Sequence, residues 1–567
     1  MTADFVKRVF PFLGWPRIDG PTISNDAMAG ITVALLVIPQ SLAYAQLAGV
    51  PAYYGLYAAF IPSIIAVLFG SSGILSTGPV ALTSLLTAAS VSQIAAPGTA
   101  EFISCVTLLA LLSGVFQIGL GLARAGVLLN LLSQPVLMGF INAAAVIIAL
   151  SQLPALTGIV VPRTDRFFLD VWYLLNQIQA LHVMSLALGL LGIGLLYAAK
   201  RFFPRLPGVL FMVTLLTCLS YAIDFAAQGG RIIGEIPAGL PGISVPAMSG
   251  QTIQLLLPAA MVIALISFME AMSSCKVIAI KTRTRWNEDQ ELIGQGLAKV
   301  AAAFCNSMPV SGSFSRSALN LASRAKTGFS SLFAAGFVLF ALMYLTPLLH
   351  HLPEPALAAM IILAVSNLID FSTMRNAWRA NKDDGIAAVL TFIATLAFAP
   401  NIQNGIVLGV LFSLGAFIYR RMFPRIVLVG RHADGTLRDA EHHELPPLHE
   451  KIGALRFDAA LCFANVSFFE DAILKLEREN PKLEYILVIA SGINHLDASA
   501  VEMLRALTRH LRECGITLVL SGAKRQCLDV AERTGLAREI GAENIFSSDD
   551  LALKSLLARI DASAAQT

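Results

Sequence analysis

Ser76-Thr77-Gly78-Pro79 and Pro309-Val310-Ser311-Gly312-Ser313 are two turns of small, helix-interrupting residues set inside long apolar runs. Each opens an apolar segment, 79–94 after the first and 313–323 after the second, that is too short to cross a bilayer. A spanning helix needs about 20 residues. Non-helical backbone at membrane depth is tolerated only where protein buries it or where it lines a cavity. Paired, interrupted apolar segments in the two halves of a chain point to the binding site of a secondary transporter. Ordinary kinks in full-length helices would not make both segments short at matched positions.

Outward from these turns, apolar stretches recur over 27–47, 52–70, 79–94, 101–122, 126–148, 183–200, 206–226, 252–274, 290–306, 313–323, 328–349, 354–369, 384–399 and 403–419. The expected fold is a polytopic α-helical membrane protein with fourteen transmembrane segments, in which the short ones are the third and the tenth. Each is the third of a set of seven, and an odd number per half makes the two halves inverted repeats. Loop charges agree. With the N-terminus inside, the cytoplasmic segments carry Lys7, Arg8, Arg17, Arg124, Lys200, Arg201, Arg205, Lys276, Lys281, Arg283, Arg285, Arg324, Lys326, Arg375, Arg379, Lys382, Arg420, Arg421 and Arg425. The opposite side holds only Arg163, Arg166 and Arg231. An excess of Lys/Arg marks the cytoplasmic face, so both termini are expected there.

The bulk composition fits this reading. Of the 567 residues 56% are hydrophobic and 14% charged, with a mean hydropathy of +0.70. A soluble domain carries about a quarter charged residues. The net charge of +3 hides a basic part, with 24 Lys/Arg against 16 Asp/Glu up to residue 425, and an acidic tail with 16 against 21. Neither has the dense basic face of a nucleic-acid binder. The seven cysteines have no CxxC and no metal-ligand spacing, and no HExxH, GxSxG or P-loop pattern is present, so neither enzyme chemistry nor a metal or cofactor is expected. No cleavable signal peptide is read at the N-terminus.

After Arg425 the pattern changes. A stretch rich in His, Glu and Pro, 426–450, reads as a linker between a transport domain over 1–425 and a soluble domain over 451–562. Strand-like runs at 453–457, 485–490 and 517–520 alternate with amphipathic helical runs at 468–479, 499–514 and 527–534, the signature of a small α/β domain.

An anion at the bilayer midplane needs compensation without heavy fixed charge, or it would never leave. Two half-helices meeting N-terminus first supply partial positive charge and free backbone N–H groups. Gly78, Val80 and Ala81 are expected to cap one half-site, and Ser313, Phe314 and Ser315 the other. Small residues let backbone approach the ligand. Arg316, on the second short segment, either adds positive potential to the site or pairs with Glu270, the one carboxylate placed deep in a helix. Glu270 is the candidate coupling group, because an intramembrane carboxyl can carry a proton alongside the substrate. Lys299 is expected to snorkel or to face the bundle, without a role of its own. Gln40, Ser41 and Tyr44 form a polar patch on the first helix, which touches substrate or joins helices. Asp26 reads as a helix cap, and His350-His351 as an interfacial flank.

Ile38–Tyr44 (IPQSLAY), Gly49–Tyr57 (GVPAYYGLY), Gly78–Ala81 (GPVA) and Pro309–Ser317 (PVSGSFSRS) together resemble the sulfate permease family of anion transporters. The C-terminal part resembles a STAS domain, the fold shared with bacterial anti-sigma-factor antagonists. The resemblance covers nearly the whole chain. It implies a seven-plus-seven inverted repeat with core and gate domains, a homodimer, and an anion lying between the third and tenth helices at Gln40, Tyr44, Val80, Ser313, Phe314, Ser315 and Arg316. In such proteins the position of Glu270 is Glu in proton-coupled-looking members and an Asp associated with sodium in bicarbonate carriers. The implied function is secondary transport of sulfate, coupled to protons or by exchange, the alternatives being a bicarbonate, chloride or dicarboxylate transporter or exchanger, or an uncoupled anion channel. The implied place is a bacterial inner membrane. Asp497-Ala498-Ser499-Ala500 resembles the loop whose Ser is phosphorylated in the antagonists. Here Ala500 replaces the usual Gly, and Ser499 is either a regulatory site or a helix cap.

Overall fold

The structure is a computed structural model that describes residues 10–15, 19–126, 133–160, 167–202, 208–237 and 239–564. Lys7, Arg8, Arg17, Arg163, Arg166 and Arg205 of the loop-charge pattern lie outside them. The chain forms two compact units, Met1–Ser413 and Leu414–Thr567.

The first half of the helical unit comprises α1 (Gly20–Leu47), α2 (Tyr53–Phe69), a two-residue strand β1 (Thr77–Gly78), α3 (Ala81–Val91), α4 (Ala100–Leu122), α5 (Gln134–Ser151), α6 (Leu153–Thr157), α7 (Phe167–Asn176), α8 (Val183–Phe202) and α9 (Gly208–Ala222). The second half opens with α10 (Gly250–Thr282), α11 (Glu288–Phe304), strand β2 (Ser311–Gly312) and α12 (Phe314–Ala322). There follow α13 (Phe329–Phe340), a π-helical turn at Ala341–Leu345, α14 (Thr346–Leu349), α15 (Glu354–Ser366), α16 (Phe371–Ala380), α17 (Lys382–Ala397) and α18 (Gln403–Met422). Each of the fourteen expected segments overlaps a helix, with 127–132 of the fifth and 206–207 of the seventh outside the described residues. Among the described residues eight helices are long and apolar enough to cross a membrane unaided; α3 and α12 are short, as the turns before them require. The amphipathic α7 and α16, ten residues each, were not expected, because their polar residues and brevity put them below the signal of a span.

One end is corrected outright. Asp19, not Asp26, caps α1, its carboxylate accepting from the Thr22 amide at 2.8 Å, so the helix starts seven residues before the expected point. Asp26 therefore sits inside α1, fully buried.

The two halves are interleaved. The most extensive helix contacts, α4 with α11, α1 with α13, α2 with α11 and α5 with α17, each join one half to the other. Small residues make this possible. At the α4–α11 crossing, a Cβ on Gly114 would lie 2.7 Å from the Gly296 carbonyl oxygen and a Cβ on Gly296 2.7 Å from that of Gly114, so each glycine is needed by the other.

The C-terminal unit holds a six-stranded sheet in the order β4-β3-β5-β6-β7-β8. Its strands are β3 (Ile426–Arg431), β4 (Leu437–Asp439), β5 (Ile452–Phe457), β6 (Tyr485–Ile489), β7 (Thr517–Ser521) and β8 (Ile545–Phe546). β5 to β8 are parallel, while β3 runs antiparallel to both β4 and β5. Alternation divides the sheet's side chains. Ile486, Val488 and Leu518 face α19 (Val466–Glu479), α20 (Ala498–Glu513) and α21 (Arg525–Thr534); Leu487, Ile489 and Val519 face α23 (Asp549–Ala564), with the short α22 (Leu536–Ile540) packed on the first side. The expected linker 426–450 is thus corrected: β3 and β4 lie within it. Its His, Glu and Pro residues masked the strand run Ile426-Val427-Leu428-Val429, whose Val427 and Val429 are buried.

A boundary placed by composition therefore cuts through the sheet. A chain ending after Phe423 should elute from size-exclusion chromatography as a monodisperse species in detergent. A chain ending after Arg431 should aggregate, because β3 would be left as an unpaired apolar edge. Equal behaviour of the two would mean that β3 contributes nothing to the C-terminal domain.

Candidate functional site

Two short strands set the geometry. β1 pairs with β2 antiparallel, Thr77 opposite Gly312 and Gly78 opposite Ser311, so the segments leading into α3 and α12 lie side by side. The pairing continues past the strands. The Ser313 amide donates to the Ser76 carbonyl at 2.8 Å, and the Ser76 amide donates to Ser317 Oγ at 2.9 Å. Ser63 Oγ donates to the Thr77 carbonyl at 2.7 Å and Ser311 Oγ to the Ser267 carbonyl at 2.8 Å. Buried backbone that has left helical geometry is thereby satisfied from its neighbours.

Both half-helices begin at this pair. Val80 caps α3 with no side-chain hydrogen bond, and Ser313 caps α12, its hydroxyl accepting from the Arg316 amide at 3.4 Å and lying 3.3 Å from the Ser315 hydroxyl. The first amides of a helix have no carbonyl one turn back to bond. Ala81, Leu82 and Thr83 in α3 and Phe314 and Ser315 in α12 are such amides. They supply hydrogen bonds and the positive ends of two helix dipoles at one place.

Arg316 reaches across from the second half to the first. Its side chain is 1% exposed, and Nη1 donates to the Pro79 carbonyl at 2.8 Å. Nε and Nη2 have no hydrogen-bond partner among the described residues, and a Cβ built on Gly78 would come within 3.2 Å of Nη2. Among the ion pairs of the described residues there is none between Arg316 and Glu270, so direct pairing, one of the two expected roles, is not what the structure shows. Its ionisable neighbours are Tyr44 and Glu270. Glu270 Oε2 is also buried without a partner, and Gln40 Oε1 and Ser41 Oγ on α1 share that condition. Tyr44 is buried, whereas Phe314 is half exposed and Ser315 exposed. Of the elements that carry these groups, α1 packs on α3 and α12, and α10 also packs on α3 and α12.

Several supporting contacts join residues far apart in the sequence. Lys299 faces the bundle and is completely buried; Nζ donates to Gln117 Oε1 at 2.8 Å, and Gln117 Nε2 donates to the Ala264 carbonyl at 2.7 Å and to Ser267 Oγ at 3.2 Å. This relay ends on α10 one turn before Glu270. The sequence expectation of one carboxylate deep in a helix is corrected: Glu270 is partly buried, whereas Asp26 and Glu291, both inside helices, are fully buried. Glu291 on α11 accepts from the amides of Ser71 at 2.8 Å and Ser72 at 3.0 Å, ahead of β1. Its neighbour Gln295 donates to Thr77 Oγ1 at 2.8 Å. Asp26 accepts from the amides of Lys326 at 2.6 Å and Thr327 at 3.3 Å, just beyond α12. One carboxylate clamps the entry to the first half-helix, and the other the exit from the second. Helix ends placed several residues short hid Asp26, and Glu291 reads in sequence as an ordinary acidic first turn.

In the C-terminal unit Asp497 caps α20, accepting from the Ala500 amide at 2.9 Å. Ser499 is left exposed in the first turn, so the cap belongs to Asp497.

Comparison with known proteins agrees with this architecture. The model of the sulfate permease family matches residues 23–391, and that of the STAS domain residues 446–552. A probable sulfate transporter 4.2 of Arabidopsis thaliana is 33% identical over 564 residues, covering 96% of this chain and 83% of that one. A probable sulfate transporter of Mycobacterium tuberculosis is 31% identical over 540 residues, covering 95% and 96%. The solved structure of SLC26A9 superposes with a TM-score of 0.91 at 21% identity, over 100% of this chain and 95% of that one. The transmembrane domain of a cyanobacterial bicarbonate transporter, BicA, gives 0.60 at 22% identity, over 70% and 99%. With a helical membrane unit built around paired half-helices and a STAS domain after it, the chain belongs to the sulfate permease family, as an anion transporter and not an enzyme.

Proposed function

We propose that this protein is a proton-coupled sulfate transporter whose anion site lies between the N-termini of α3 and α12. The observation that carries the reading is the β1–β2 pair, which sets two rows of free helix amides beside a buried guanidinium with two unpartnered nitrogens. The site comprises Gly78, Val80 and Ala81 from the first half, and Ser313, Phe314, Ser315 and Arg316 from the second. Gln40 and Tyr44 of α1 close it. Sulfate fits because it presents acceptor oxygens in every direction and needs donors on opposite sides. The names of the relatives support sulfate over bicarbonate, chloride or dicarboxylates, which the uptake panel below separates.

Coupling follows from electrostatics. A Glu270 carboxylate in the low-dielectric interior repels an arriving anion, and its proton removes the repulsion. Proton and anion therefore favour each other's binding, and by linkage the effect is reciprocal. A relative from Bos taurus, 30% identical, bears the name sodium-independent sulfate anion transporter, which favours protons over sodium as the coupling ion. We further propose fourteen crossings in a seven-plus-seven inverted repeat of core and gate domains, a homodimer, and a bacterial inner membrane with both termini in the cytoplasm. The STAS domain then regulates transport from that side, and the exposed Ser499 is available for modification there.

In proteoliposomes tested with labelled sulfate, bicarbonate, chloride and dicarboxylates, sulfate uptake should rise when the outside is made acid. Glu270→Gln should abolish that rise while sulfate binding stays measurable. An unchanged pH profile at the wild-type rate would make Glu270 structural.

The source of the site's charge is separately testable. Helix ends contribute about 0.3–1 kcal/mol at exposed sites and about 2 in partly buried ones, whereas a hydrogen bond to a charged group contributes about 1.5–3 kcal/mol. Arg316→Ala should therefore weaken sulfate binding about ten- to a hundredfold and leave it detectable. Ser313→Leu should do worse, by blocking approach to the α12 amides. Calorimetric titration of folded variants decides it, and loss with Arg316→Ala beside normal binding in Ser313→Leu would mean a point-charge site.

A further inference from the structure

We infer that the C-terminal domain carries a site for a zinc-class divalent cation, formed by Glu477, His510 and Cys514. His510 lies in the last turn of α20 and Cys514, four residues on, caps that helix, so the two side chains lie on one side of its C-terminal end. Glu477 approaches from α19, and its Oε2 lies 3.2 Å from His510 Nε2, while Cys514 Sγ lies 3.9 Å from the same nitrogen. All three ligand atoms are within 4.8 Å of one another.

That spacing suits a tetrahedral metal. Zinc bonds are about 2.0–2.2 Å to N and O and about 2.3 Å to S, which puts neighbouring ligand atoms about 3.3–3.6 Å apart. The two separations from His510 Nε2, 3.2 Å and 3.9 Å, bracket that range. The donors are one thiolate, one imidazole and one carboxylate, a set suited to a borderline cation and not to magnesium or calcium, which take oxygen ligands.

The backbone beneath the site is fixed by the domain core. Leu476 precedes Glu477, and Leu507 and Leu511 lie on either side of His510 along α20; all three are buried in one apolar cluster. Ligands held by packed helices lose little freedom on binding. The site itself is open to solvent, with Cys514 exposed and His510 half exposed, which leaves a fourth position for water. A thiol ligates as the thiolate, so a cation bound here takes the place of the Cys514 proton. The proton goes to solvent, and the Glu477 carboxylate offsets part of the cation's charge. The sequence hides the site, because the third ligand is 33 residues from His510 and no two cysteines are near each other.

The test uses the tag-free, full-length protein in detergent, with Co²⁺ as the spectroscopic probe and Zn²⁺ as competitor. One equivalent of Co²⁺ should give a thiolate charge-transfer band in the near ultraviolet and visible bands of tetrahedral intensity, both removed by Zn²⁺. Cys514→Ser should eliminate the charge-transfer band, and His510→Ala and Glu477→Gln should each weaken binding tenfold or more. Cys218→Ser, at another exposed cysteine, should change nothing. Circular dichroism matched to the parent confirms that each variant is folded. Absence of the band in the parent chain, or its persistence in folded Cys514→Ser, would overturn the assignment.

Discussion

Two pairs of residues, Thr77 and Gly78 against Gly312 and Ser311, hold the membrane unit's functional geometry. A ladder this small would be negligible in water. In a bilayer interior, where unpaired backbone costs several kcal/mol per group, it gives two interrupted segments a place to satisfy each other. Everything at the site follows from it. The half-helices begin where the ladder ends, their free amides come together, and Arg316 finds the Pro79 carbonyl within reach.

The ladder also explains why the surrounding groups are buried and polar. Ser63, Ser267, Gln295 and Ser317 each engage a ladder residue or its immediate neighbour. Asp26 and Glu291 hold the chain just outside it. These contacts fix the turns and leave the half-helix amides free. The structural role of the serines and the ligand role proposed for the amides are thus compatible uses of one arrangement.

Much of this was legible in the sequence, because the deciding signals were local. Gly78-Pro79 and Ser311-Gly312-Ser313 break helices, and the short segments after them are α3 and α12. Period-two and helical patterns marked β5, β6, β7, α19, α20 and α21. What the sequence concealed was non-local. Nothing near Lys299 points to Gln117, 182 residues away, as its partner. Glu291 looks like any acid in a helix's first turn until Ser71 and Ser72 are brought to it. β3 was hidden in a segment whose composition is that of a linker, since a strand's place in a sheet depends on a neighbour far along the chain. Arg316 stood out as expensive, but its partner was legible only once Pro79 stood beside it.

The central claim is that an anion is held by helix amides from both halves. Selenate keeps sulfate's shape and charge and carries a heavy scatterer. Anomalous diffraction from crystals of the full-length protein grown with selenate locates the ion directly. The account predicts one peak between the two half-helices, within hydrogen-bond reach of the amides of Ala81 or Leu82 and of Phe314 or Ser315. A peak in contact with only one half-helix, or none there at a selenate concentration that blocks sulfate uptake, would contradict it.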